Sequence, residues 1–361
     1  MLYVIGFLIV ISIIVLVHEA GHFFMARLMG VKVEEFAFGM GKEVVGYTSK
    51  KSGVRYKICR WPIGGYVKMF GDEDASSQKA DKKKIKKLSA KEKKQVYHNQ
   101  PVWKKILIAF AGPFTNYLFA FIILAVVLFI VGVQDTPAIV CNCMEESPAK
   151  SAGILPGDKV IGVAGKKVSN FKDIKKAILM STGDIVVKVE RGNQIVTLTV
   201  TPEGEGENRK IGAYFVAGDA TSVKKLSVGG AIKESYTMIK DLTVDTLVFV
   251  GQMISGKRSA DGLSGPIGIA EASGNALKSG ILGFVLFIAH ISVGIGLINL
   301  FPIPILDGGQ ILIFAIEGVT RRKLSDRVIN VLFYIGFGLL ILLMVFAFWL
   351  DISRIIGRIF N

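Results

Sequence analysis

From residue 2 to residue 26 the chain is an almost unbroken run of Ile, Leu, Val and Phe, and His18, Glu19 and His22 sit near its end. An apolar stretch of about 20 residues is long enough to cross a bilayer. In lipid its backbone has one way to satisfy every N–H and C=O within the segment, which is a helix. Residues four apart on a helix lie one turn along the same face, so His18 and His22 present two imidazoles side by side. That is the spacing at which one zinc ion takes two ligands, with Glu19 placed to act on water held by the ion. Ionisable groups at the edge of a membrane span are costly and usually functional. The run lacks the positive start and small-residue cleavage site of a secretory signal peptide.

Three further apolar runs follow, at about 102–131, 281–306 and 328–350, and 51% of the 361 residues are hydrophobic. The expected fold is a multi-span α-helical membrane protein with four transmembrane helices. The formal net charge of +15 is not spread evenly. Between Arg27 and Lys105 there are 20 basic and 8 acidic side chains, whereas residues 132–220 carry 11 of each. Basic excess in one inter-helix loop marks the cytoplasmic side of a membrane and argues against a nucleic-acid partner. Arg321, Arg322, Lys323 and Arg327 mark the same side between the third and fourth spans. The N-terminus, the middle domain and the C-terminus are then expected outside; Arg354 and Arg358 run mildly against this count.

The expected segments are a first transmembrane helix with the histidine motif (1–32), a basic cytoplasmic-side loop (33–101) and a second transmembrane helix (102–132). A β-rich domain (133–205), an amphipathic and linker region (206–280) and the third and fourth transmembrane helices (281–361) complete the chain. Within the loop, 54–59 alternates at period two, 61–65 turns and 66–70 returns, which predicts a β-hairpin. The Lys-rich run that follows, to residue 94, predicts a mobile loop or an exposed helix lying on acidic lipid heads. In the middle domain, 138–140 and 160–163 predict strands, 171–180 a helix, and 185–190 with 194–200 a hairpin across Arg191-Gly192-Asn193. Residues 231–255 predict an amphipathic helix, and 262–268 a turn-rich break. Cys141 and Cys143 are expected as two small packing residues, with a disulfide or metal capture as lesser alternatives. Gly112-Pro113 interrupts the second span, as a packing kink or with a direct role.

A catalytic zinc usually has three protein ligands and an open position. The third should come from another span at the cytoplasmic depth of the motif. His98 lies in the basic loop and His290 midway along the third span. Asp307 ends the third span on the cytoplasmic side, after Pro302 and Pro304. Irregular backbone and a carboxylate at membrane depth are tolerated around a buried site or a water-lined cavity. An ordinary interfacial carboxylate is the alternative. The expected chemistry is metal-assisted hydrolysis with Glu19 moving the proton. The hairpin either presents a strand edge to an extended substrate or is an ordinary cytoplasmic hairpin.

These motifs together resemble the site-2 proteases of the bacterial regulator-of-sigma-E-protease type. The resemblance rests on His18-Glu19-x-x-His22, Gly-Gly-Tyr-Val-Lys-Met at 64–69 before Gly71-Asp72-Glu73-Asp74, and Ala-Gly-Pro-x-x-Asn at 111–116. It extends through Ser264-Gly-Pro-Ile-Gly to Asn299-Leu-Phe-Pro-Ile-Pro-Ile-Leu-Asp307-Gly-Gly. It implies Zn2+ held by His18, His22 and Asp307, with Glu19 catalytic, and a membrane-associated β-hairpin around 54–70. The substrate-binding set it suggests is Asn299, Pro304, Gly64, Gly65, Tyr66 and Asn116. Residues 147–158 resemble a PDZ module, so the middle domain is expected as a single extracytoplasmic PDZ domain that docks or excludes peptide segments. Relatives with tandem PDZ domains differ in this respect.

The implied protein is a multi-pass enzyme of the bacterial cytoplasmic membrane, its active site near the cytoplasmic face. It would cleave single-span membrane proteins, anti-sigma factors or remnant signal peptides, in contact with lipid. The alternatives are a membrane-anchored PDZ adaptor with a non-catalytic metal site, and a metal transporter. Intact Glu19 argues against the first, and the scarcity of polar positions along the spans argues against the second.

Overall fold

The computed structural model describes residues 1–73, 81–134, 136–204, 209–215, 223–260 and 263–360. Asp74, the start of the Lys-rich run at 79–80, Gly262 and parts of the stretch 205–222 lie outside the described residues. Two compact units form, one from residues 1–124 with 265–361 and one from 125–264. Four described helices are long and apolar enough to cross a membrane: Leu2–Leu28, Val102–Val131, Ile281–Asn299 and Asp326–Arg358.

In the first unit, α1 (Leu2–Leu28) buries Gly6, Val10, Ile14, His18 and Gly21. Their spacing of three or four residues makes one stripe, so His18 shares the face that packs inward. Two long strands follow, β1 (Val33–Thr48) and β2 (Arg55–Met69). Both bend, and their register shows four paired limbs. Phe36 faces Val67 on one side and Tyr56 on the other, and Tyr56 in turn faces Tyr47. The limbs therefore run in the order 65–69, 33–38, 55–58, 45–48. This corrects the expected hairpin: 54–59 and 66–70 do not pair with each other, because 33–38 lies between them. Two short helices, α2 (Lys82–Lys86) and α3 (Ala90–Lys93), account for most of the described Lys-rich stretch, and a capping box between Ser89 and Glu92 starts the second. The second span, α4 (Val102–Val131), runs through Pro113 without ending.

The middle unit holds β3 (Val133–Gln134), β4 (Val140–Cys143), α5 (Pro148–Ser151), β5 (Lys159–Val163), β6 (Lys166–Lys167) and α6 (Phe171–Met180). It continues with β7 (Ile185–Arg191), β8 (Gln194–Val200), β9 (Ala213–Phe215), β10 (Val223–Lys224) and α7 (Val228–Ile254). Its main sheet has the order β6-β5-β7-β8, and β4-β9 and β3-β10 form two separate two-stranded pairs. Ile185, Val187 and Val189 of β7 are buried while the residues between them are exposed, the alternation of a half-buried strand. They meet Ile174, Ala177 and Ile178 of α6 in one core. The expected strand at 160–163, the helix and the hairpin agree with these elements, whereas the strand expected at 138–140 lies at 140–143. Cys143 is buried, but Cys141 is exposed and both are free, so only one of the pair is a packing residue.

The chain returns to the first unit with α8 (Pro266–Lys278), α9 (Ile281–Asn299), α10 (Asp307–Thr320) and α11 (Asp326–Phe360). The turn-rich break thus opens a helix. Its N-cap, Gly265, has no side chain to offer, and the buried Asp351 of α11 takes that role. Its carboxylate accepts from the N–H groups of Gly265, Ile267 and Gly268 at 3.0, 2.9 and 3.0 Å. The third span ends at Asn299, not near 306, and Asp307 begins α10 rather than closing a span. Prolines 302 and 304 stop α9 from continuing, and the carboxylate sits in the first turn of a new helix.

In the middle unit, Arg191 reaches both oxygens of the buried Asp158 at 2.7 and 2.8 Å, and the Leu155 N–H adds a third bond at 2.9 Å. Burial pushes this carboxyl up, but the Arg191 and Leu155 hydrogen bonds outweigh it and hold it below the usual carboxylate range. A depressed carboxyl contributes stability above its unfolded value of about 4, which is lost as pH falls through the folded value. Asp158→Asn is therefore expected to destabilise the unit by roughly 1–3 kcal/mol at pH 7. Thermal unfolding of the two proteins across pH should show the gap narrowing below about pH 4.

Candidate metal centre

The two imidazoles of α1 meet Asp307 of α10 at one point. His18 Nε2 lies 3.0 Å from Asp307 Oδ2, His22 Nε2 lies 3.5 Å from Oδ1, and the two Nε2 atoms are 3.2 Å apart. The rings are nearly perpendicular, so their lone pairs converge rather than stack. A tetrahedral zinc with bonds of roughly 2.0–2.1 Å requires ligand atoms about 3.3 Å apart. Two nitrogens and a carboxylate oxygen at these separations fit that ion. Among the described residues they are the one cluster of three His, Cys, Asp or Glu side chains able to hold a metal.

The histidines are aimed from α4. His22 Nδ1 is 2.8 Å from the Ile108 carbonyl, to which it donates, leaving Nε2 free to bind. His18 Nδ1 lies 3.3 Å from the Asn116 side-chain nitrogen. Midway between them, a Cβ on Gly112 would stand 2.4 Å from His22 Nε2 and 2.8 Å from His18 Cε1. Residues 108, 112 and 116 thus form a stripe of period four that faces 18 and 22. Gly21 of the motif repeats the device in the other direction, since its Cβ would meet Thr115 Oγ1 at 2.3 Å.

Asp307 is set by the loop before it. Cβ atoms on Gly308 and Gly309 would fall 2.2 and 2.1 Å from the carbonyl oxygens of Leu300 and Ile303. The loop folds directly over the first turn of α10, and no side chain fits there. The other end of α10 is latched by Glu317, which pairs with Lys105 of α4 at 3.1 Å, both side chains nearly buried. The carboxylate is thereby held against the histidines from both ends of its helix.

Glu19 lies beside the sheet. The Val67 N–H bonds its carboxylate, and a Cβ on Gly65 would touch its Cγ at 3.3 Å. A cavity of about 590 Å3 opens here, lined by His18, Glu19, His22, Asp307, Gly65, Tyr66 and Asn299. A second cavity of about 1020 Å3, lined by His98, Lys105, Glu317 and Pro304, shares Gln310 and Phe333 with it. Of the substrate-binding set expected from sequence, Gly65, Tyr66 and Asn299 line the first cavity and Pro304 the second. Gly64 packs against Met40, itself part of the lining. Asn116 is fully buried behind His18 and lines neither. The sequence reading missed the Ile108 carbonyl, the clearance at Gly112 and the Val67 N–H. Only the second had a signal, a glycine four residues before an asparagine in a span. Gly112→Ala is expected to cut bound zinc in the purified protein at least tenfold, measured by elemental analysis, because the added methyl occupies the space of the rings.

The model of peptidase family M50 matches residues 6–343. A protein of Agrobacterium fabrum with a provisional zinc metalloprotease name is 36% identical, over 98% of this chain and 97% of its own length. A similarly named protein of Rickettsia conorii is 35% identical, over 98% and 99%. The metalloprotease MmpA of Caulobacter vibrioides is 31% identical, over 97% and 95%. With two histidines, a carboxylate and an adjacent glutamate converging inside apolar helices, the chain belongs to peptidase family M50, the site-2 proteases, and is a zinc metalloendopeptidase.

Proposed function

We propose that this enzyme cleaves single-span membrane proteins within the bilayer of a bacterial cytoplasmic membrane, as a step of regulated intramembrane proteolysis. Anti-sigma factors or remnant signal peptides are the substrate classes in view. The observation that carries the reading is the place of the site, where His18 lies on the inward stripe of an apolar helix of membrane length and Glu19 follows it in the chain. His18, His22 and Asp307 are its zinc ligands and Glu19 its catalytic acid–base. Bound there, zinc supplies a Lewis acid that polarises the scissile carbonyl and lowers the pKa of water toward ~7. Glu19, steadied by the Val67 N–H, takes the proton of the attacking water and passes it to the leaving amine.

A transmembrane helix resists this chemistry because its carbonyls are internally bonded, so the enzyme must hold a stretch extended. The limb 65–69 is at the edge of its sheet beside Glu19, which suits it to pair with an unwound substrate segment. Gly65, Tyr66 and Asn299 contact that segment on this reading, with Gly64 and Pro304 shaping the backbone around it. Asn116, grouped with them on resemblance alone, is buried away from this cavity. The far part of the sheet exposes Met40, Val44, Val45, Tyr47 and Trp61, an apolar strip suited to lipid contact. The β-rich part of the middle unit, from residue 133 onward, is a single extracytoplasmic PDZ domain. Its groove, about 710 Å3 between α6 and β9, is where a peptide segment would dock.

Glu19→Gln is expected to lower cleavage of a single-span substrate by 10²–10⁴-fold while zinc content is unchanged. Retained cleavage would sink the mechanism. The topology has its own test, since Cys141 is exposed while Cys59 and Cys143 are buried. A membrane-impermeant maleimide added to intact spheroplasts should label the protein at Cys141. Labelling only after lysis would reverse the orientation.

A further inference from the structure

We propose that Asn116 is a positioning residue for His18, holding the ring so that Nε2 faces the metal. It is not a substrate contact. Three observations carry this. Asn116 is completely buried and lines neither cavity, so an extended peptide in the catalytic cleft does not reach it. Its carboxamide lies against His18 Nδ1, 3.3 Å away. Its Oδ1 is buried and has no hydrogen-bond partner.

The chemistry of imidazole connects them. A histidine that gives its Nε2 lone pair to a metal carries its proton on Nδ1, and that proton needs an acceptor. For His22 the acceptor is the Ile108 carbonyl, one turn before Gly112 on α4. For His18 the group at the equivalent place, one turn after Gly112, is Asn116. A carboxamide offers a donor at one end and an acceptor at the other, and a half-turn about its last torsion exchanges them. The unpartnered Oδ1 is the acceptor His18 requires. Asn116 is itself fixed, because Ser292 of α9 donates to its backbone carbonyl at 2.9 Å and Ser292 is fully buried. The two zinc histidines are thus each oriented by α4, one by main chain and one by side chain.

This inference rests on the reading of His18, His22 and Asp307 as the zinc site, and the experiment separates the two. Zinc affinity is measured on the full chain in detergent, by competition with a chromophoric chelator, for Asn116→Leu, Asn116→Asp and His18→Ala. Asn116→Leu, close in volume but without an acceptor, should weaken zinc binding 10- to 100-fold. Asn116→Asp keeps an acceptor oxygen and should stay within a few-fold of the parent. If Asn116→Leu does not fold, Asn116→Ala is read in the same way. Unchanged zinc affinity in the Leu variant with a raised KM would overturn the proposal in favour of a substrate contact. Equal losses in the Asp and Leu variants would reduce Asn116 to a packing role and also overturn it. Retained tight zinc in His18→Ala would instead remove the site reading, and this inference with it.

Discussion

The near-contact of two membrane helices is the constraint on which the rest of the structure depends. Around Gly21 and Gly112, α1 and α4 approach until a single methyl group on either would collide with the other helix. Thr115 closes the gap by donating to the Val17 carbonyl at 3.1 Å. In lipid there is no hydrophobic drive to bring helices together, so small residues and interhelical hydrogen bonds set where they touch. Here the touching point is also where the histidines stand. The closeness that gives α1 and α4 their packing leaves room for two imidazole rings and little else, so the fold and the metal ligands draw on the same few atoms.

Charge is handled in a similarly local way. Lys105 and Glu317 are nearly buried, and each would be expensive alone at the end of a span, yet as a pair they join α4 to α10. Asp351 follows the long apolar run of α11 and is spent on three backbone N–H groups at the start of α8. His98 faces the buried Asp72 at 3.1 Å. In each case a polar group in an apolar setting meets a partner from a different element, which turns the cost of burial into a choice of which elements are neighbours.

The sequence made the elements legible far better than their neighbours. His18, Glu19 and His22 follow from local spacing, and Asp307 follows from matching its depth to theirs, because both arguments use only period and length. The four spans and the strands of the middle unit are likewise local patterns. The order of the limbs around β1 and β2 is not. Residues 54–59 and 66–70 have the look of a hairpin, but 33–38 is equally able to pair and takes the place between them. The helix α10 was hidden by what precedes it, since the apolar stretch 300–306 reads as the tail of the preceding span until the two prolines are given their full weight. Asn116 was read through resemblance as touching substrate, whereas burial behind His18 is a fact of the third dimension.

The ligands of this centre lie about 290 residues apart along the chain, His18 near the start and Asp307 near the end. At a synthesis rate of about 5–20 residues per second, the histidines wait some 15–60 s in the bilayer before their carboxylate exists. With that separation, no segment that stops short of α10 holds all three groups. The distance that hides Asp307 from local pattern thus makes the three-residue cluster a product of the folded chain and not of its first helix.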